Sequence, residues 1–166
     1  MKVVNKKLFF LYAHPCGDVL VQRGSMGRKV LERIRKSLKE GRVVESPEVF
    51  KVAYKLQCML AEEMGKKEID EEVIREYYWR KHDEHVMEES KEKNDVIPER
   101  CIIFPAKVVE KEGEEAVVET PVGKRNVNIE FVPNVCVGDF LTVHYSYACE
   151  KIDESEFKKL WREKNG

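Results

Sequence analysis

The side chains in this sequence whose types and spacing could do chemistry fall in four places. The stretch PERCIIFPAKVVEKEGEEAVVET, Pro98 to Thr120, sets a single thiol, Cys101, at the head of what reads as a strand. A thiol there is either a small apolar filler or a soft metal donor at the mouth of a β-structure. WRKHDEHV puts His82 and His85 three residues apart on one helix face, where two imidazoles could share a metal ion. A solvated His-Asp-Glu-His face would account for the same residues. AHPCG sets His14 and Cys16 in a turn beside an apolar run, either a ligand site or a buried corner. Finally, RKVLERIRKSLK carries a row of cations, of which Arg33, Arg35 and Lys36 are the candidate phosphate contacts for a nucleic acid.

Charge layout weighs on that last reading. The chain has 166 residues, 37% of them charged, and a net charge of −1. Residues 1–42 hold 11 Lys/Arg against 3 Asp/Glu; residues 43–98 hold 9 against 15; residues 99–166 hold 10 against 13. The basic head could therefore meet a nucleic acid, stay solvated, or dock on the chain's own acidic middle. Nucleic acid is the less favoured partner. Glutamine is confined to Gln22 and Gln57 while Lys, Glu and Val abound, a bias of thermophile type.

Other classes are excluded more directly. No run of about 18 apolar residues exists, so no membrane partner is expected and the chain reads as cytoplasmic. Cys16, Cys58, Cys101, Cys136 and Cys149 are odd in number, far apart and without a C-x-x-C, a poor disulfide or zinc-finger pattern. There is no phosphate-cradling glycine loop, no nucleophile elbow and no H-E-x-x-H. A non-enzyme is expected.

The elements that must position these residues divide the chain in two. KLFFLYA reads as a short buried strand, HPCGD as a turn and DVLVQ as a second strand. Ser25 offers an N-cap for a helix to about Glu40, ended by Gly41. Ser46-Pro47 opens a second helix, with Val49, Val52, Ala53, Leu56, Leu60 and Met64 as its buried stripe and Gly65 as its stop. Asp70 caps a third, with Val73, Ile74, Tyr77 and Tyr78 on its apolar side, which dissolves into the charged linker EESKEKND.

After Pro98 the apolar period switches from 3.6 to 2. CIIFPAKVV, AVVET, KRNVNIEF and DFLTVHYSYA read as strands joined by Gly-containing turns, and Asp153 to about Lys164 as a helix with Phe157, Leu160 and Trp161 on one face. The expected fold is α+β. A mostly helical domain (1–95) with a short N-terminal β segment precedes a small OB-like antiparallel barrel with a C-terminal helix (99–166). Pro105, Gly138 and Asp139 read as turn and barrel geometry, Cys136 and Cys149 as packing.

Taken as a unit, CIIFPAKVVEKEGEEAVVET and KRNVNIEFVPNVCVGDFLTVHYSYACEKIDESE resemble the HypC/HupF family of hydrogenase-maturation chaperones. The resemblance rests on Cys101, Pro105, Lys107 to Val109, the Val-Pro-x-Val-x-Val-Gly-Asp run Val132 to Asp139, Val143-His144, and Glu150 to Asp153. It covers about residues 101–156. It implies a small OB-like barrel that binds the partner HypD and carries an iron bearing two cyanides and a carbon monoxide to the large subunit of a [NiFe] hydrogenase. The family's cysteine and histidine fall on Cys101 and His144, as iron ligands, and its partner contact on Cys101, Ile102 and Pro105. Iron would be cargo, with no tightly bound cofactor in the isolated protein. In the family the cysteine follows the initiator methionine; here it stands internally behind Arg100. Pro-Gly becomes Pro105-Ala106, and His-x-Gly-Phe becomes His144-Tyr145-Ser146-Tyr147. A nucleic-acid-binding or regulatory protein using the barrel as an interaction module is the alternative.

Overall fold

Why the apolar run KLFFLYA should be a helix is settled by what surrounds it. In the computed structural model, which describes residues 1–92 and 98–165, α1 (Lys6–Ala13) buries Leu8, Phe9, Phe10, Leu11, Tyr12 and Ala13. A helix apolar all round is one enclosed by its neighbours. Asn5 starts it, its Oδ1 accepting from the Leu8 amide at 2.9 Å. The expected strand is thus a helix; short apolar runs carry no period that separates the two. DVLVQ, also expected as a strand, lies in α2 (Gly17–Gln22). The turn between them is a 3₁₀ turn, His14–Cys16, whose Pro15 sits in its first positions, where no amide is needed. β character at this end is limited, among the described residues, to the bridge Val3–Ile69.

The contacts divide the chain into two units, Met1–Glu84 and His85–Gly166. The expected linker over EESKEKND and the 95/99 boundary fall partly on residues 93–97, outside the described residues. In the first unit, α3 (Arg28–Glu40) buries Leu31, Ile34 and Leu38 and ends at Gly41, φ 78°. There the amides of Gly41 and Arg42 bond back to the carbonyls of Leu38 and Ser37, the double closure that a left-handed glycine permits. The Ser46-Pro47 start is a 3₁₀ turn, with Ser46 capping Glu48, before α4 (Lys51–Glu63). The buried stripe of α4 differs from the expected one: Gln57, Leu60 and Ala61 face inward while Val52 is 53% exposed. α5 (Glu71–Glu76) is capped as expected, Asp70 accepting from Val73 at 3.0 Å. A π-helical turn, Tyr77–Lys81, then runs into α6 (His82–Glu92). The wider turn lets Tyr77, Tyr78 and Trp79, consecutive in sequence, all be buried. Tyr12 stacks on Tyr78 at 5.1 Å and accepts a hydrogen bond from Trp79 Nε1 at 2.9 Å.

The second unit is a closed five-stranded barrel. Its strands are β1 (Phe104–Glu112), β2 (Glu115–Thr120), β3 (Gly123–Asn128), β4 (Phe140–His144) and β5 (Tyr147–Ile152), in the order β1-β2-β3-β5-β4. That circular order is the OB arrangement. Neighbours are antiparallel except β3 and β5, which run parallel through Asn128 and Tyr147. The expected strand DFLTVHYSYA is two, because Tyr145 takes a left-handed backbone, φ 53°, and turns the chain. Alternating residues fill the interior: Phe104, Ala106 and Val108 from β1, Ala116 and Val118 from β2, Leu141 and Val143 from β4. Cys101 does not head the first strand. It closes a short helix, α7 (Pro98–Cys101), and β1 begins three residues later. α8 (Glu154–Asn165) starts on an Asp153 side-chain cap (2.7 Å to the Glu156 amide) and sets Phe157 against Phe140, ring centroids 4.4 Å apart.

One close approach in the first unit is testable. A Cβ on Gly17 would lie 2.4 Å from Leu31 Cδ1, and Leu31, itself fully buried, would have to shift within the core. Gly17→Ala is expected to lower stability by about 1–3 kcal/mol through overpacking, read as an earlier midpoint in chemical denaturation.

Candidate metal-ligating site

The barrel's closure puts a thiol and an imidazole together. β1 pairs with β4 in a register that opposes Phe104 to Val143, so the segment leading into β1 and the end of β4 share one rim. α7 delivers Cys101 there, and His144 is the last residue of β4. Cys101 Sγ stands 4.0 Å from His144 Nε2. Cys101 is 7% exposed and His144 fully buried.

The backbone around the pair is pinned. The Tyr145 amide donates to the Arg100 carbonyl at 2.8 Å, and Arg125 Nη2 donates to the Tyr145 carbonyl at 2.6 Å. The Tyr145 ring lies 5.2 Å from the imidazole of His144. Burial, and then the charge of Arg100, hold the Arg125 guanidinium below its usual value. The Arg100 and Arg125 guanidinium groups thus lie within electrostatic reach of one another, Arg125 on the Tyr145 carbonyl beside the pair.

A donor pair is judged by its span. With metal–sulfur and metal–nitrogen bonds of about 2.3 and 2.05 Å, a tetrahedral ion holds S and N about 3.6 Å apart. Cys101 and His144 need close by only a few tenths of an ångström to chelate. Their softness selects a late or borderline transition metal over magnesium or calcium.

The other residues named from the sequence fall elsewhere. Pro105 is buried in β1 opposite Thr142, and Ile102 is half-buried against the barrel core. His82 is 5% exposed, whereas His85, on the same helix, pairs with Glu89 at 3.3 Å. Arg33 bonds to Glu45 at 2.9 Å; Lys36 stays exposed. Arg35 is turned to the corner HPC: its Nε donates to His14 Nδ1 at 3.1 Å, and its Nη2 to the His14 carbonyl at 3.2 Å and to Asp18 at 2.8 Å. Cys149 is packed, and burial pushes its thiol well up. Cys136 is not packed as expected but exposed, in a turn where its amide donates to Asp139 at 2.8 Å and Gly138 takes φ 93°.

The sequence reading missed two contributors to this rim, Arg125 and Tyr145. Neither has a signal in composition: Arg125 lies in a polar strand, and the left-handed position is taken by Tyr145, a residue type that does not mark such a turn.

The fold and this rim define a small OB-like barrel that brings one thiol and one imidazole together at one end. The sequence profile of the HupF/HypC family matches residues 101–163. A 63-residue stretch is 30% identical to the hydrogenase maturation factor HypC of Cupriavidus necator, covering 37% of this chain and 70% of that protein. The chain belongs to the HupF/HypC family.

In the helical unit, the Asp18 clamp gives a pH dependence. Burial raises the Asp18 carboxyl, but hydrogen bonds and charge from Arg35 and Arg28 outweigh it and hold it below the usual value. A carboxyl lowered on folding stabilises above its unfolded pKa of about 3.9, and that contribution is lost as pH falls through the folded value. Asp18→Asn is therefore expected to be the less stable protein at pH 6, with the difference shrinking below about pH 4, as measured by urea midpoints at each pH.

Proposed function

We propose that this chain is a hydrogenase-maturation chaperone. Its barrel docks on a maturation protein of the HypD kind, takes up an iron bearing cyanide and carbon monoxide, and passes it to the large subunit of a [NiFe] hydrogenase. The observation that carries this reading is the 4.0 Å pairing of Cys101 with His144 at one rim of the barrel. An anionic sulfur is the natural donor for such an iron, and an imidazole a fitting second ligand. Two protein donors hold cargo yet leave it transferable, which suits a carrier without turnover of its own.

The internal cysteine changes how the barrel engages its partner. Cys101 has an amide, not a free amine, and its segment enters as a helix end rather than a chain end. Partner recognition then rests on the rim as a surface, with Ile102 as its half-buried member.

Co-expression with the maturation partner and purification without oxygen tests this. Iron is expected to co-purify with the complex, and Cys101→Ala and His144→Ala each to reduce it to under a tenth. Iron and partner recovery unchanged in both variants would overturn the reading.

A further inference from the structure

The helical unit holds a thiol and an imidazole that the barrel reading does not use. Cys16 Sγ and a ring nitrogen of His82 lie within 4.8 Å of one another. The sequence suggested other groupings, Cys16 with His14 and His82 with His85, yet His14 is held by Arg35 and His85 by Glu89.

Each donor is set in place by the fold. Cys16 closes the His14–Cys16 turn, which Arg35 grips at its first residue and Gly17 presses against Leu31 at its end. His82 follows the π-helical turn, the kind of helix defect that re-aims side chains. The rings of Tyr77 and Tyr78 lie 5.8 and 5.5 Å from its imidazole. Cys16 is the more accessible of the two, half-buried where His82 is buried. Chelation needs the donors about 3.6 Å apart. The required closure is smaller than the ~3 Å that a sulfur moves between neighbouring χ1 rotamers.

We propose that Cys16 and His82 are a second metal-ligating pair, taking a thiolate- and imidazole-seeking divalent ion such as Fe²⁺ or Zn²⁺. The donors exclude magnesium and calcium on softness. Two protein ligands leave the ion's other positions to donors from outside this pair, so the site binds metal exchangeably.

Cobalt(II) serves as the probe, titrated into the full, reduced chain without oxygen and without any maturation partner. A sulfur-to-cobalt charge-transfer band in the near ultraviolet reports the thiolate. Cys16→Ser and His82→Gln are each expected to diminish that band and to weaken a Co²⁺ binding step at least about tenfold, while the exposed Cys136→Ser leaves both unchanged. Unaltered circular dichroism establishes that the variants fold; should His82→Gln not, the near-isosteric Cys16→Ser decides alone. A band and affinity identical to the parent in Cys16→Ser would overturn the proposal. Because the readout is metal alone, its failure leaves the barrel's iron reading standing, and failure of that reading leaves this one.

Discussion

The pairing of β1 with β4 is the interaction that brings Cys101 and His144 together. It closes the barrel, and with it the distance between two donors far apart in sequence. Were the register to slip by one residue, every β1 side chain would change faces. Phe104, Ala106 and Val108 would leave the core, and the lead-in to β1 would shift along the rim away from His144. The same contacts that bury the apolar interior thus fix the donor geometry, and the site is as stable as the barrel.

The rim adds a second constraint, exerted through backbone groups. Tyr145 adopts a left-handed conformation that costs a non-glycine residue of order 1–3 kcal/mol. It is held there by its amide on the Arg100 carbonyl and its carbonyl on the Arg125 guanidinium. α7, the β4–β5 turn and β3 are thereby tied at one point.

Much of this was legible in the sequence, and the exceptions have physical causes. The barrel strands were readable because one face of each is buried, which enforces period two. The closure of α3 at Gly41 and the cap of α5 at Asp70 were readable because those backbone geometries favour particular residues. KLFFLYA was not, because a helix enclosed on all sides and a buried strand have the same apolar content. The inward face of α4 was misjudged because Gln57, a polar residue, takes an inward place that Val52 was expected to share. The Cys101–His144 pair was visible only through family likeness. Cys16 and His82 each have a nearer candidate partner in sequence, His14 and His85; the turn at HPCGD is legible from Pro15 and Gly17, but the π-helical turn before His82 has no clear sequence signature.

Infrared spectroscopy of the anaerobically purified complex with the maturation partner tests the central claim most directly. Bound cyanide and carbon monoxide absorb where protein does not, so their bands report the cargo itself. The account predicts such bands in the parent complex and their loss in Cys101→Ala with partner binding retained. Bands of undiminished intensity in Cys101→Ala would contradict it, since the thiol at the barrel rim would then not be the ligand.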